Sequence, residues 1–259
     1  MKSFLIFSWL LLVLIYSSCS QTTGYEKINV KPAAILKDFK SWWNYTSTNI
    51  HLSLDFTAFD TASNIISKVS FLQLLRSGNY IPLQLSSKDS SLHYQLYNIS
   101  SSVDNDVHKT IKELAEVGYT HYMMEGKELP GFNFTNLEGE VYNKETFKGK
   151  IVVLKCWFIH CQRCIEEMPA LNELISHYKN RKDILFISLA FDSKEELKKF
   201  LANRTFNYTV VPDQQFYLKT KLKITSYPTH LVINKAGLIS KVVDDEKELA
   251  MALKNEALK

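Results

Sequence analysis

Apolar and polar positions divide the chain into two stretches of different texture. In the first, from about residue 27 to 125, His51 to Phe59 (HLSLDFTAF) alternates, which predicts a half-buried strand. Ala62 to Leu75 places Ile65, Ile66, Val69, Leu72 and Leu75 at helical spacing, with Gly78 able to cap that helix. Tyr80 to Leu85 (YIPLQL) predicts a short strand broken by Pro82, and Ser86 to Ser91 a turn. Val107 to Val117 predicts a second helix, with Ile111, Leu114, Ala115 and Val117 on one side and Gly118 closing it. The pair Trp42-Trp43 belongs to a core or an interface. Residues 122–131 gather Pro and Gly and predict a junction.

The second stretch follows residue 131. Ile151 to Cys156 (IVVLKC) and Ile184 to Phe191 (ILFISLAF) are short apolar runs, as expected of buried parallel strands. Between them Ile165 to Tyr178 is helical, with Ile165, Met168, Leu171, Leu174 and Ile175 apolar. Lys194 to Leu201 predicts a helix, Tyr208 to Val211 a strand and Phe216 to Leu222 a short helix. Thr229 to Ile233 and Leu238 to Val243 form a hairpin across Asn234 to Gly237, and Lys247 to Leu258 is a closing helix. This order predicts an α/β fold whose sheet has one antiparallel edge.

The beginning of the chain has a different pattern. After Lys2, the 13 residues Phe4 to Tyr16 are almost wholly apolar, the size of a signal-peptide core and too short for the ~20 residues that span a bilayer. Ser17-Ser18-Cys19 resembles a bacterial lipobox, with Tyr16 where Leu is usual. The expectation is a signal segment over residues 1–19, lipid attachment at Cys19, and residues 20–259 outside the cytoplasm. An ordinary secretory peptide or a short retained anchor gives the same compartment. Residues 20–26 are a polar tether. Sequons at Asn44, Asn98, Asn133, Asn203 and Asn207 are incidental if the lipobox holds.

Composition narrows the field. Of 259 residues, 46% are apolar and 22% charged, which excludes a disordered or fibrous chain. The net charge of +4 gives no case for nucleic-acid binding. With 8 Gly there is no G-x-G-x-x-G, and Gly149-Lys150 is followed by Ile151, so no Walker loop exists. Neither H-E-x-x-H nor G-x-S-x-G occurs.

Four cysteines carry the candidate chemistry. Cys161-Gln162-Arg163-Cys164 follows a buried strand and opens a helix, the context in which C-x-x-C is a redox motif. Two intervening residues let the sulfurs meet over one helical turn. Unpaired amides and the helix dipole at the first Cys favour its thiolate, and Arg163 adds a positive charge. Cys161 is then the attacking sulfur and Cys164 the resolving one. A static structural disulfide is the alternative. Cys156 suits a buried thiol. A zinc or copper site from Cys156, His160, Cys161 and Cys164 is its rival, disfavoured because Cys156 and Cys161 tend to face opposite sides of the strand.

Three segments now point to a family: KCWFIHCQRCIEEMPAL (Lys155 to Leu171), TSYPTHLVINKAG (Thr225 to Gly237) and LPGFNFTNLEGE (Leu129 to Glu140). With them, about half the chain resembles the TlpA/ResA group of membrane-tethered, thioredoxin-like thiol-disulfide oxidoreductases. The resemblance implies a thioredoxin-like α/β fold over residues 126–259, a central mixed sheet flanked by helices. Residues 20–125 are an N-terminal α+β extension, similar to one seen on such proteins in Bacteroidetes. It also implies that Pro228 is the cis-proline facing the disulfide, freeing the backbone of Tyr227 to pair with substrate. Pro169 is a kink proline and Trp157 a packing aromatic. Glu167 exchanges protons with Cys164, the alternative being a surface carboxylate, while Glu166 is a solvated charge. This chain departs from the pattern at Gln162-Arg163, which lacks proline in the pair that tunes the reduction potential, so the family's value does not carry over. It departs at His160, and at Lys155, where classical thioredoxins bury an acid.

The implied function is a membrane-anchored periplasmic enzyme that reduces or exchanges disulfides of partner proteins and takes electrons from a membrane donor protein. No cofactor, metal or nucleic acid is expected. The rivals are a thiol peroxidase of peroxiredoxin type, a non-enzymatic binding module and a metal chaperone.

Overall fold

The computed structural model describes residues 26–28, 30–87 and 91–259. The expected signal segment, Cys19 and most of the polar tether lie outside the described residues. The N-terminal region is built on strands β1 (Glu26–Ile28), β2 (Phe56–Phe59), β3 (Ile65–Ile66), β4 (Tyr80–Ser86) and β5 (Leu92–Asn98), in the order β1-β4-β5-β2-β3. Helices α1 (Pro32–Ile35), α2 (Phe39–Asn49), α3 (Lys68–Leu75) and α4 (Asn105–Tyr122) accompany it. Its core joins Trp42 of α2, Phe71 and Leu75 of α3, Ile81 and Leu83 of β4, Tyr94 of β5 and Ile111 of α4.

Several expectations change here. The alternation of 51–59 yields strand only at Phe56–Phe59, because residues 52–54 turn toward the second region. The helix expected over 62–75 begins at Lys68, capped by the Ser67 side chain, and Ile65–Ile66 instead pair with β2. Pro82 does not break β4. The strand β1 pairs only with Leu85 and Ser86, so Pro82 lies on an open margin where a missing N–H is tolerated. Gly118 does not end α4, which runs on to Tyr122. A Cβ at that position would stand 3.4 Å from Leu52 Cβ, so the glycine permits close packing rather than capping.

The C-terminal region follows with β6 (Phe134–Thr135), β7 (Val141–Tyr142), α5 (Lys144–Phe147), β8 (Ile151–Trp157), α6 (Gln162–Glu166), α7 (Met168–His177) and β9 (Ile184–Ala190). It continues with α8 (Lys194–Leu201), β10 (Thr209–Val211), a π-helical turn (Tyr217–Lys221), β11 (Thr229–Ile233), β12 (Ile239–Val243) and α9 (Glu246–Ala257). The sheet order is β10-β9-β8-β11-β12, with β10, β9 and β8 parallel. The antiparallel edge is the expected hairpin: β11 runs antiparallel to both β8 and β12. Every residue of the central strand β8 is buried. Its even positions, Val152, Leu154 and Cys156, pack with Phe134, Tyr217 and Leu218. Ile151 and Val153 face Leu171 and Leu174 of α7 and Leu249 of α9 on the other side, as strand alternation requires.

The two regions meet through polar contacts. His51 Nδ1 lies 3.0 Å from Glu248 Oε1. Lys241 Nζ donates to Asp55 at 2.6 Å and to Glu125 at 2.9 Å. The junction at 122–131 is tied down, because Gly126 N–H donates to Ile239 O and Ile239 N–H to Lys127 O, both at 2.8 Å. Among the described residues no helix is long and apolar enough to cross a membrane.

Candidate redox site

The site forms where β8 ends. The chain turns through Phe158 to His160, held by the Ile159 N–H donating to Asp192 Oδ2 at 2.8 Å. Cys161 then caps α6, its Sγ accepting from the Cys164 N–H at 3.3 Å. Cys161 and Cys164 are joined in a disulfide with Cα atoms 5.2 Å apart. The two cysteines are unequal in exposure: Cys161 retains 7% of its surface and Cys164 none. Gln162, Arg163 and His160 around them are exposed, while Trp157, Met168, Ala190 and Leu197 pack behind. The helix expected over 165–178 breaks at Glu167, between α6 and α7. Pro169 lies in the first turn of α7, where a missing N–H is harmless.

A buried cluster of charge lies in the same part of the fold. The antiparallel register sets His230 opposite Lys155, so both side chains share one face of the sheet. Glu167 meets them from the α6–α7 break. Its Oε1 pairs with Lys155 Nζ, and its carboxylate lies 3.1–3.2 Å from His230 Nε2. Lys155 and His230 are fully buried and Glu167 is 6% exposed. Burial pushes the Glu167 carboxyl up, but the His230 hydrogen bond and the charges of His230 and Lys155 outweigh it and hold the group below its ordinary 4.5. Burial draws Lys155 down from its ordinary value against the pull of Glu167.

The loop before β11 supplies the other wall. The Tyr227-Pro228 peptide is cis. The Tyr227 ring stands edge-on to Phe191 at 5.0 Å and to Phe158 at 5.7 Å, which seats the loop beside the turn that carries Cys161. The Thr229 hydroxyl donates to Ser226 O at 2.8 Å.

Cys161, Cys164, Glu167 and Pro228 therefore lie in one part of the fold. Glu167 is not the surface carboxylate of the alternative reading, whereas Glu166 is exposed and accepts from Gln162 Nε2 at 2.7 Å. Cys156 is a buried free thiol on the opposite face from Lys155, pushed up to about 12 by burial. Among the described residues no cluster of His, Cys, Asp and Glu is suited to a metal ion. Sequence reasoning missed His230 and the partnership of Lys155 with Glu167. A lysine inside an apolar strand was the available signal, since a buried charge requires a partner.

Comparison with known proteins bears on residues 126–242, which match a family model described as AhpC/TSA family. The thiol-disulfide oxidoreductase ResA of Bacillus cereus is 32% identical over 141 residues, covering 50% of this chain and 81% of the relative. That of Geobacillus kaustophilus is 29% identical over 140 residues, covering 50% and 80%. A solved structure, the thioredoxin domain of a thiol-disulfide oxidoreductase from Bacteroides vulgatus, aligns with a TM-score of 0.46 at 21% identity, over 51% of this chain and 96% of that one. On the strength of the ResA relatives, the chain belongs to the TlpA/ResA-type family of thioredoxin-like thiol-disulfide oxidoreductases.

Proposed function

We propose that this chain reduces or exchanges disulfides of polypeptide partners outside the cytoplasm through Cys161 and Cys164, anchored to a membrane by lipid on Cys19. The observation that carries the reading is the asymmetric disulfide, in which Cys161 keeps a small exposed fraction and Cys164 has none. In the reduced protein, the Cys164 N–H that points at Cys161 Sγ stabilises a Cys161 thiolate. That thiolate attacks one sulfur of a partner disulfide. The partner S–S bond breaks, a mixed disulfide forms, and the displaced partner sulfur leaves as a thiolate that takes up a proton. Cys164, deprotonated, attacks Cys161 Sγ and releases the second partner thiol. The protein disulfide has formed, and two electrons have passed to the partner.

Glu167 exchanges the proton of Cys164. Held by Lys155 and His230, it is fixed in place instead of free in solvent. A membrane electron-donor protein resets the pair. Replacing Cys161 with Ser abolishes reduction of a protein disulfide such as that of insulin; retained turnover contradicts the proposal. Cys19→Ala moves the protein from the membrane to the soluble fraction, and unchanged fractionation rejects the lipid anchor.

A further inference from the structure

The redox chemistry does not say which disulfide is chosen. A groove of about 350 Å³ opens beside the site and is shared by both regions of the molecule. Its catalytic side is Arg163, which lies between the two cysteines in sequence, with Tyr227 and Pro228. Tyr227 also packs against the cluster that contains Cys161 and Cys164, so one residue borders both the groove and the disulfide. The opposite wall belongs to the N-terminal region: Trp43 from α2, and Leu114 and Val117 from α4.

The polar lining of this groove is unbalanced. Glu113, Asp244, Asp245 and Glu248 supply carboxylates, against Arg163 and His51. Part of this charge is spoken for. His51 Nδ1 lies 3.0 Å from Glu248 Oε1, the Ser53 hydroxyl donates to Asp244 Oδ2 at 3.3 Å, and Asp245 caps α9. Behind the groove surface, four oxygens of lining residues are closed off from solvent and lack a hydrogen-bond partner: Glu248 Oε2, Asp244 Oδ1, Thr46 Oγ1 and Ser226 Oγ. Asp244 Oδ1 stands 3.4 Å from His121 Nδ1 without a hydrogen bond between them. Glu248 is 6% exposed and Thr46 4%, so neither is a solvated surface group. A buried acceptor without a donor is costly, and a carboxylate oxygen can only accept.

The complement to such a lining carries several donors and a positive charge on an apolar stem. Guanidinium and ammonium groups meet that description, and the Trp43, Leu114 and Val117 side suits the stem. Arg163 repels a cation at the disulfide end. The cation therefore belongs farther along the same polypeptide, not next to its cysteine.

We infer that this groove binds an arginine or lysine side chain of the polypeptide whose disulfide is exchanged, so that the N-terminal region selects substrates with a basic residue near the reacting cysteine. This inference rests on the proposed disulfide exchange and names the substrate class for it.

The test uses protein pre-reduced with dithiothreitol and freed of it. It is mixed with disulfide-linked peptide dimers carrying Arg, Ala or Glu at successive positions away from the single cysteine. Each turnover converts the protein dithiol to its disulfide and the peptide dimer to two thiols. At the best position, Arg peptides are expected to oxidise the protein about tenfold faster than Ala peptides, and Glu peptides slower still. In the Glu248→Gln/Asp244→Asn variant, shown to be folded by its circular dichroism, the Arg-to-Ala ratio falls to within about twofold. Because Glu248 is buried, Glu113→Gln at the exposed mouth serves as a second variant and lowers the ratio in part. Equal rates for all three peptides overturn the groove assignment and leave the redox proposal standing. A preference that survives in both variants also overturns it. Failure of every peptide to oxidise the protein removes the redox proposal and this inference together.

Discussion

The two regions of this molecule are built alike and treat buried polarity differently. Each has a five-stranded sheet backed by helices. In the N-terminal region the core is Trp42, Phe71, Tyr94 and aliphatic residues, and the buried Thr46, Ser53 and His121 gather where it meets the other half. The C-terminal region places Lys155, Glu167 and His230 inside the domain that carries the disulfide. Burying an ion pair contributes little to stability and is often outmatched by apolar packing. Among the described residues, such a pair lies in the C-terminal sheet and none lies in the N-terminal one.

The largest expected contrast is between Cys161→Ser and Trp42→Ala. The first lowers disulfide exchange by a factor of at least about 10³ by removing the nucleophile, with little change in folding. The second costs about 3–5 kcal/mol in a denaturant titration, while the folded fraction still exchanges with a small-molecule disulfide. If Trp42→Ala also silences that small-molecule reaction in folded protein, the division of labour between the regions is wrong.

Glu167→Gln comes next. It leaves the Lys155 charge buried without its counter-ion, at a cost of about 3–5 kcal/mol. Adding Lys155→Met recovers much of the stability without restoring the wild-type pH profile of the resolving step, so stopped-flow kinetics against pH separate the chemical role from the structural one. The same carboxylate has a pH signature. Its pKa in the folded protein lies below the ordinary 4.5, so its stabilisation is present above pH 4.5 and is lost as pH falls through the lower folded value. Acid titrations of wild type and Glu167→Gln should diverge above that window and converge below it.

Cys156 gives a smaller effect. In oxidised protein lacking residues 1–19 its thiol stays unreactive toward an aromatic disulfide reagent until the chain unfolds, because it is buried and its pKa is pushed up to about 12. Rapid labelling of the native protein would contradict its placement in the core. The smallest effect is at the boundary between regions, where Asp55→Ala removes an exposed partner of Lys241, which keeps Glu125, and costs about 1 kcal/mol or less in thermal unfolding.

Much of the C-terminal half was legible in the chain itself. The helix Lys194–Leu201 and the strand Thr229–Ile233 lie where the pattern places them, because a capping Ser193 and a continuous apolar run are local signals. The N-terminal half was harder to read. Helix α2 (FKSWWNYTSTN) carries only a short apolar stripe, Phe39, Trp42 and Trp43, among polar residues, and depends on the Asp38 cap and the burial of Trp42. Strand β5 (LHYQLYN) mixes polar and apolar residues, and it forms because β4 and β2 flank it. At the site, the cysteines announced themselves by spacing, and Pro228 through the family resemblance. The contact of Lys155 with His230 did not, since it depends on a pairing register between strands more than seventy residues apart in sequence.

The central claim is that Cys161 is the sulfur that attacks a partner disulfide and Cys164 the one that releases it. Mass spectrometry of the Cys164→Ala variant after incubation with a disulfide-linked peptide tests it most directly. One stable mixed disulfide, carried on Cys161, is the expected product. An unmodified Cys161, or an adduct on Cys156 in the folded protein, would contradict it.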